Sequence, residues 1–173
     1  MAAGGSISFE GMNEVLAAMR KAGPRIQRAA MKGLQKGGLD VIADAKVNLR
    51  QNRSVVTGLL RASGKVQKVS DEVLEVGFFD TTNREGYAWF VEYGRRAGGM
   101  PPRQNLASWA YKKFRIDWSH AWAIATNMAR RIAREGTHPH PYFGPALEKN
   151  KENITRRVQE SINEMLNKND FGL

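Results

Sequence analysis

Apolar positions along this chain change their period twice, from helical to alternating and back to helical. From Ser8 to Ala22 a short strand leads into a helix with Val15, Leu16 and Met19 on one face, and Gly23-Pro24 stops it. Pro24 suits the first turn of a second helix, where its missing N–H has no partner to lose. In that helix Ile26, Ala30, Leu34, Val41, Ala45 and Leu49 keep the helical period to about Arg50. Gly37-Gly38 interrupts it. Each glycine costs a helix about 1 kcal/mol, so the pair is expected at a bend or where another backbone comes close.

The pattern then becomes that of strands. Lys65 to Val69 and Glu72 to Phe79 are rich in β-branched and aromatic residues, and Ser70-Asp71 between them reads as a tight hairpin. Leu74, Val76 and Phe78 would share one face. Asp80 to Gly86 is a polar loop. Tyr87 to Tyr93 has a length that fits helix or strand, but Tyr87, Phe90 and Val91 fall on one helix face, which favours a helix, and Gly94 ends it. Arg95 to Arg103 reads as a loop. Gln104 to Phe114 follows as a short helix with Leu106, Trp109 and Ala110 inward. Ser119 is the expected N-cap of a helix to Arg134, striped by Trp122, Ala125, Met128, Ala129 and Ile132 and closed by Gly136. Three prolines exclude a helix over Thr137–Pro145, which must be extended or turned. A last helix from near Pro145 carries Leu147, Ile154, Val158, Ile162 and Met165 on one side, with a frayed tail from about Asn167 to Leu173. The pattern thus predicts one α+β domain over residues 1–173. Long amphipathic helices pack on a small antiparallel sheet, and a helical insertion spans about 95–136.

Charge sharpens this picture. The chain has 173 residues and a formal net charge of +10. Arg95, Arg96, Arg103, Lys112, Lys113, Arg115, Arg130, Arg131 and Arg134 face a single acid, Asp117, within their span, which alone carries +8. A concentrated positive segment favours an anionic partner: nucleic acid, an acidic protein face or a membrane surface. Trp109, Trp118 and Trp122 lie among these cations. They fit either base stacking along a nucleic-acid strand or, for Trp109 and Trp122, the core. No apolar run reaches the ~20 residues that span a bilayer. Met1-Ala2-Ala3-Gly4-Gly5 has no signal-peptide pattern. The absence of cysteine excludes disulfides, thiol catalysis and thiolate metal sites, and fits folding in a reducing cytoplasm.

Catalytic chemistry finds little support. His138 and His140 flank Pro139 and could share a metal, but no third ligand lies near in sequence. Asp117 and His120 have the spacing of an orienting pair, yet no nucleophile elbow accompanies them. There is no phosphate-binding loop. Neither a cofactor nor a metal site is expected, and an enzyme is not.

Three stretches occur in a telling order: Thr57-Gly58-Leu59-Leu60-Arg61-Ala62-Ser63, Tyr87-Ala88-Trp89-Phe90-Val91-Glu92-Tyr93-Gly94, and Pro141-Tyr142-Phe143-Gly144-Pro145-Ala146-Leu147. Together they resemble the tailed-phage neck or tail-completion family, which includes the lambda tail protein called Z. That family looks like "TGxLrxS … YaxyvEyGt … PFxxPAl". It often runs directly from the Glu-Tyr-Gly turn to the Pro-Phe segment, whereas here about forty residues intervene. The resemblance implies a non-catalytic virion protein, made in the host cytoplasm. It would form a cyclic ring, a hexamer, at the head–tail junction and join head to tail. Its partners would be other neck, head-completion or tail-terminator proteins and packaged DNA, with no membrane. Subunit contacts are then expected at Glu92, Tyr93, Gly94, Pro141, Tyr142 and Phe143, and DNA-channel or partner contacts at the nine basic residues above. The alternative is a free nucleic-acid-binding protein using residues 95–134.

Overall fold

The structure, a computed structural model, describes residues 23–52, 58–79 and 87–169. The strand and helix expected over Ser8–Ala22, Thr57 of the first motif, the Asp80–Gly86 loop and the tail beyond Asn169 lie outside these residues. The elements run α1 (Pro24–Gln51), α2 (Leu59–Ala62), β1 (Gly64–Lys68), β2 (Leu74–Phe78), α3 (Tyr87–Tyr93), α4 (Arg103–Phe114), α5 (Trp118–Glu135) and α6 (Phe143–Asn169). The fold is α+β, mostly helical with one two-stranded antiparallel sheet.

The hairpin forms where the alternating pattern put it, but the strands are joined through Val69–Val73, a longer connection than the Ser70-Asp71 turn expected, and β2 begins at Leu74 rather than Glu72. The Val69 and Ser70 N–H groups both donate to the Val73 carbonyl, at 2.9 and 3.2 Å, and Phe79 N–H reaches Ser63 O at 3.1 Å. This register sets Gln67 beside Glu75, whose side chains bond at 2.8 Å. Gly58, in the left-handed region at φ 74°, opens α2, and its carbonyl accepts the Ala62 N–H at 2.8 Å.

The chain divides into two compact units. Of the described residues, one unit holds 23–39, Val66–Glu75 and 150–169. Here Ala30 and Met31 of α1 are buried, and Leu34, Leu74, Val158 and Ile162 pack against them. α1 runs through Gly37-Gly38 without breaking, so of the two expectations for that pair, close approach is realised. A Cβ on Gly37 would lie 2.9 Å from Ile154 Cγ1, and one on Gly33 only 2.5 Å from Val158 Cα. Two glycines four apart face two α6 residues four apart. That is the spacing at which one helix seats its backbone against another.

The other unit holds the described residues within Asp40–Lys65 and Val76–Lys149. Val41, Ile42, Ala45 and Leu49 of α1 are buried in it, with Leu60, Val91, Tyr142, Ala146 and Leu147. α4 and α5 pack on each other through small residues: Ala107 and Ala110 on one, Ala121, Ala125 and Ala129 on the other, all fully buried.

Three helix expectations are corrected. α6 begins at Phe143, so Phe143-Gly144-Pro145 are helical, Pro145 standing in the first turn where its missing N–H loses no partner. The N-cap of α5 is Asp117, not Ser119. Asp117 is extended (φ −66°, ψ 165°), and its carboxylate accepts from Ser119 N–H at 2.9 Å and His120 N–H at 3.1 Å. Ser119 already lies inside the first turn, and its hydroxyl donates to the same carboxylate at 2.8 Å. Of the expected α5 stripe Ala125 and Ala129 are buried and Met128 and Ile132 half-buried, but Trp122 is exposed and Ala121 is buried instead, because alanine lets the two helices approach more closely than an indole would.

The His120 ring also bonds Asp117. That bond first, and the His120 and Ser119 groups after it, hold the Asp117 carboxyl well below the usual carboxylate range. The folded-state value is depressed, so the cap is fully present above the ordinary aspartate range. It is lost only as pH falls through the depressed value. Asp117→Ala is therefore expected to speed amide exchange at Ser119 and His120 at neutral pH, whereas Ser119→Ala leaves the His120 amide protected. Equal exchange in the two variants would refute the assignment.

Candidate interaction surface

The second and third motifs meet through one buried carboxylate. Glu92, on the last turn of α3, is 8% exposed. Its Oε2 accepts from the Tyr142 and Phe143 N–H groups at 2.8 and 2.9 Å, and its Oε1 from Gly144 N–H at 2.9 Å. These are donors at the start of α6, which no helical carbonyl can satisfy. A negative charge there also complements the helix dipole. Glu92 therefore acts as the N-terminal cap of a helix that begins about fifty residues further along the chain.

The proline-rich segment is fastened on either side of this cap. His140 N–H donates to Val91 O at 2.8 Å. Asn48 and Asn52 at the end of α1 donate their side-chain amides to Tyr142 O and Pro141 O at 2.9 and 3.0 Å. Phe78 of β2 meets the Tyr142 ring edge-on at 5.0 Å and Phe143 at 6.3 Å. Of the residues expected at subunit contacts, Glu92, Gly94 and Tyr142 are buried in this unit, and Phe143 is half-buried. Tyr93 and Pro141 are exposed.

The insertion closes on itself at its base. Arg95 and Thr137 exchange backbone hydrogen bonds of 3.1 and 2.8 Å. Gly94 (φ 72°) and Gly136 (φ 77°) flank this bridge in the left-handed region. A Cβ would lie 2.4 Å from Thr137 O on the first and 2.1 Å from Arg95 O on the second. Only glycine permits both the conformation and the crossing.

The nine cations do not gather at one point. Arg95 and Arg96 line a shallow groove with Trp89, Phe90, Tyr93, Gly94 and Thr137. Arg95 turns its guanidinium back onto Gly99 O. Arg131 and Arg134 bind Glu135 at 2.8 and 2.6 Å. The Arg134 bond first, then the Arg131 bond, lowers the Glu135 carboxyl. Lys112, Lys113 and Arg115 surround the α4–α5 turn, where Arg115 adopts φ 53°, and they are exposed, as are Arg103 and Arg130.

Large aromatic side chains lie between these cations, on the surface. Tyr111, Phe114, Trp118 and Trp122 are 48, 50, 47 and 37% exposed. Trp118 touches Tyr111 at 5.9 Å between ring centroids and Trp122 at 6.4 Å. The Arg103 guanidinium sits 5.4 Å above the Trp122 ring. On α3, Trp89 and Tyr93 contact each other at 4.2 Å and are half exposed. Trp109 is half-buried against Phe114. The core reading thus holds in part for Trp109 and fails for Trp122. His120, His138 and His140 are all exposed, and no cluster of potential metal ligands occurs among the described residues.

The sequence model of the HK97-gp10-like family, described as "Bacteriophage HK97-gp10, putative tail-component", matches residues 13–94. The match covers just under half of the chain and ends at the Glu-Tyr-Gly turn, before the insertion. It agrees with the neck and tail-completion resemblance carried by the three motifs. No curated protein and no solved structure matches the chain.

Proposed function

We propose, on the premise of that bacteriophage tail-component match, that this chain is a non-catalytic virion protein that forms a closed ring at the head–tail junction and helps join head to tail. The match supports a structural tail component. The observation that carries the reading further is the Glu92 cap. It ties the second motif, at the end of the matched segment, to the Pro141–Leu147 motif outside the match. The exposed aromatic face of α3, with Trp89, Phe90 and Tyr93, and the exposed Pro141 offer apolar surface for head-to-tail contacts between subunits. The basic insertion would then face packaged DNA or an adjoining ring. No helix among the described residues is long and apolar enough to cross a membrane.

Deleting the gene is expected to yield filled heads and separate tails, seen by electron microscopy of the lysate. Supplying the protein in trans should restore joined particles. Joined, infectious particles from the deletion would overturn the proposal.

A further inference from the structure

The face formed by α4 and α5 has the make-up of a protein-docking hot spot, not of a nucleic-acid stacking platform. We infer that Tyr111, Trp118, Trp122 and Arg103 dock a different virion or host protein whose contact face has an apolar centre and a carboxylate rim. Trp, Tyr and Arg are the residues that dominate binding energy at protein interfaces, and they do so as contiguous clusters ringed by polar groups. Here Tyr111, Trp118 and Trp122 form an unbroken line of rings, each more than a third exposed, with Arg103 laid over the last.

Ring geometry separates this from base stacking. The Tyr111–Trp118 planes are inclined at 63° and the Trp118–Trp122 planes at 38°, with centroids 5.9 and 6.4 Å apart. No two rings are parallel, and none stands apart to take a base between itself and its neighbour. One face of Trp122 is already covered by a guanidinium. What remains outward is a continuous apolar surface, which a protein side chain fits better than a base.

Charge complementarity names the rim. Lys112, Lys113 and Arg115 are exposed beside the cluster, and none forms an ion pair among the described residues. The one acid in the Arg95–Arg134 span, Asp117, is engaged by His120 and Ser119. Outside this span a second copy of this chain carries +2, so its other faces offer no net negative charge to complement this one. An acidic partner would supply it.

The test uses the purified full-length chain and its tryptophan fluorescence. The probe is a synthetic helical peptide with Leu and Phe on one face, flanked by Glu and Asp. The controls are the same peptide with its acids replaced by Lys, and oligothymidylate. Wild-type protein is expected to bind the acidic peptide and not the basic one. Trp118→Ala should weaken binding roughly tenfold or more. The triple reversal Lys112→Glu, Lys113→Glu, Arg115→Glu should weaken it similarly, with unchanged circular-dichroism melting in both variants. The inference fails if the acidic peptide does not bind, or if the basic peptide binds equally well. It also fails if neither variant weakens binding, or if oligothymidylate binds and loses affinity in Trp118→Ala. That last result would assign the face to nucleic acid. None of these outcomes depends on where in a virion the chain sits, so the inference and the head–tail reading fail separately.

Discussion

Glu92→Ala is expected to lower the melting temperature by about 6–12 °C, from a loss of about 3 kcal/mol in a chain of this size. The carboxylate accepts three backbone N–H groups at 2.8–2.9 Å and is 8% exposed, so water replaces it poorly. Removing it leaves the donors of Tyr142, Phe143 and Gly144 without their acceptor, and Tyr142 is itself buried. An unmet buried donor costs about 1–3 kcal/mol, and hydrogen bonds to a charged acceptor lie at the upper end of the usual range. Losing the negative charge at the α6 N-terminus adds a smaller effect of the same sign.

Glu92→Gln separates these contributions. The amide keeps one acceptor oxygen but turns an NH2 group toward the remaining donors. It should lose about half as much stability as alanine does, and the loss should appear first as faster exchange at the Gly144 or Tyr142 amide. Thermal melts of the three proteins, with exchange at residues 142–144, decide the matter. An alanine variant melting with wild type would mean that α6 is capped by solvent and that Glu92 holds nothing together.

That cap also shows where the sequence was readable. Each of its parts was visible: the Glu-Tyr-Gly turn, the Pro-Tyr-Phe segment and the last helix. Their bond was not, because the carboxylate and the N–H groups that it serves are about fifty residues apart, and local patterns carry no such pairing. The long helices and the hairpin were legible because one period per element suffices to specify them. α3, only seven residues long, was less legible: its length fitted a strand as well, and only the spacing of Tyr87, Phe90 and Val91 favoured a helix. Its exposed Trp89, Phe90 and Tyr93 show that the helical spacing gave its type and not its burial.

The insertion misled for a physical reason. Reading α5 as an ordinary amphipathic helix puts its largest apolar residue inward. The α4–α5 contact instead takes the smallest ones: Ala107, Ala110, Ala121, Ala125 and Ala129 are all fully buried. An alanine seam lets two backbones approach and displaces Trp122 to the flank, where it meets Trp118 and Arg103. The signal was present as alanines at positions 121, 125 and 129, spaced by four. It competes with a tryptophan one residue away, and hydrophobicity alone gives the tryptophan the greater weight. Asp117 as N-cap was open to the same kind of reading, since aspartate caps about as well as serine and the helix begins one residue earlier than its apolar stripe suggests.

Gly33→Ala tests the other close approach and should destabilise, against the usual trend. Alanine in place of a helical glycine favours the helix by about 1 kcal/mol. At this position the added methyl would sit 2.5 Å from Val158 Cα, 2.6 Å from the Arg157 carbonyl oxygen and 2.9 Å from its carbon. All three are backbone atoms, so no rotamer change relieves them. α1 and α6 must separate locally, loosening the contacts of Ala30 and Met31 with Val158 and Ile162. Overpacking of this kind costs about 1–3 kcal/mol, and the lost contacts add to it, so a net loss of about 2 kcal/mol is expected in urea unfolding. Gly37→Ala should lose less, since its nearest neighbour, Ile154 Cγ1 at 2.9 Å, is a side-chain atom that can yield, and the nearest backbone atom, Ile154 Cα, lies at 3.0 Å rather than 2.5 Å. Pairing Gly37→Ala with Ile154→Ala should therefore recover about 0.5–1 kcal/mol relative to additivity. Pairing Gly33→Ala with Val158→Ala should recover none, because truncating Val158 leaves its Cα in place. A Gly33→Ala protein as stable as wild type would show that the helix preference outweighs the clash and that the two backbones are not in contact.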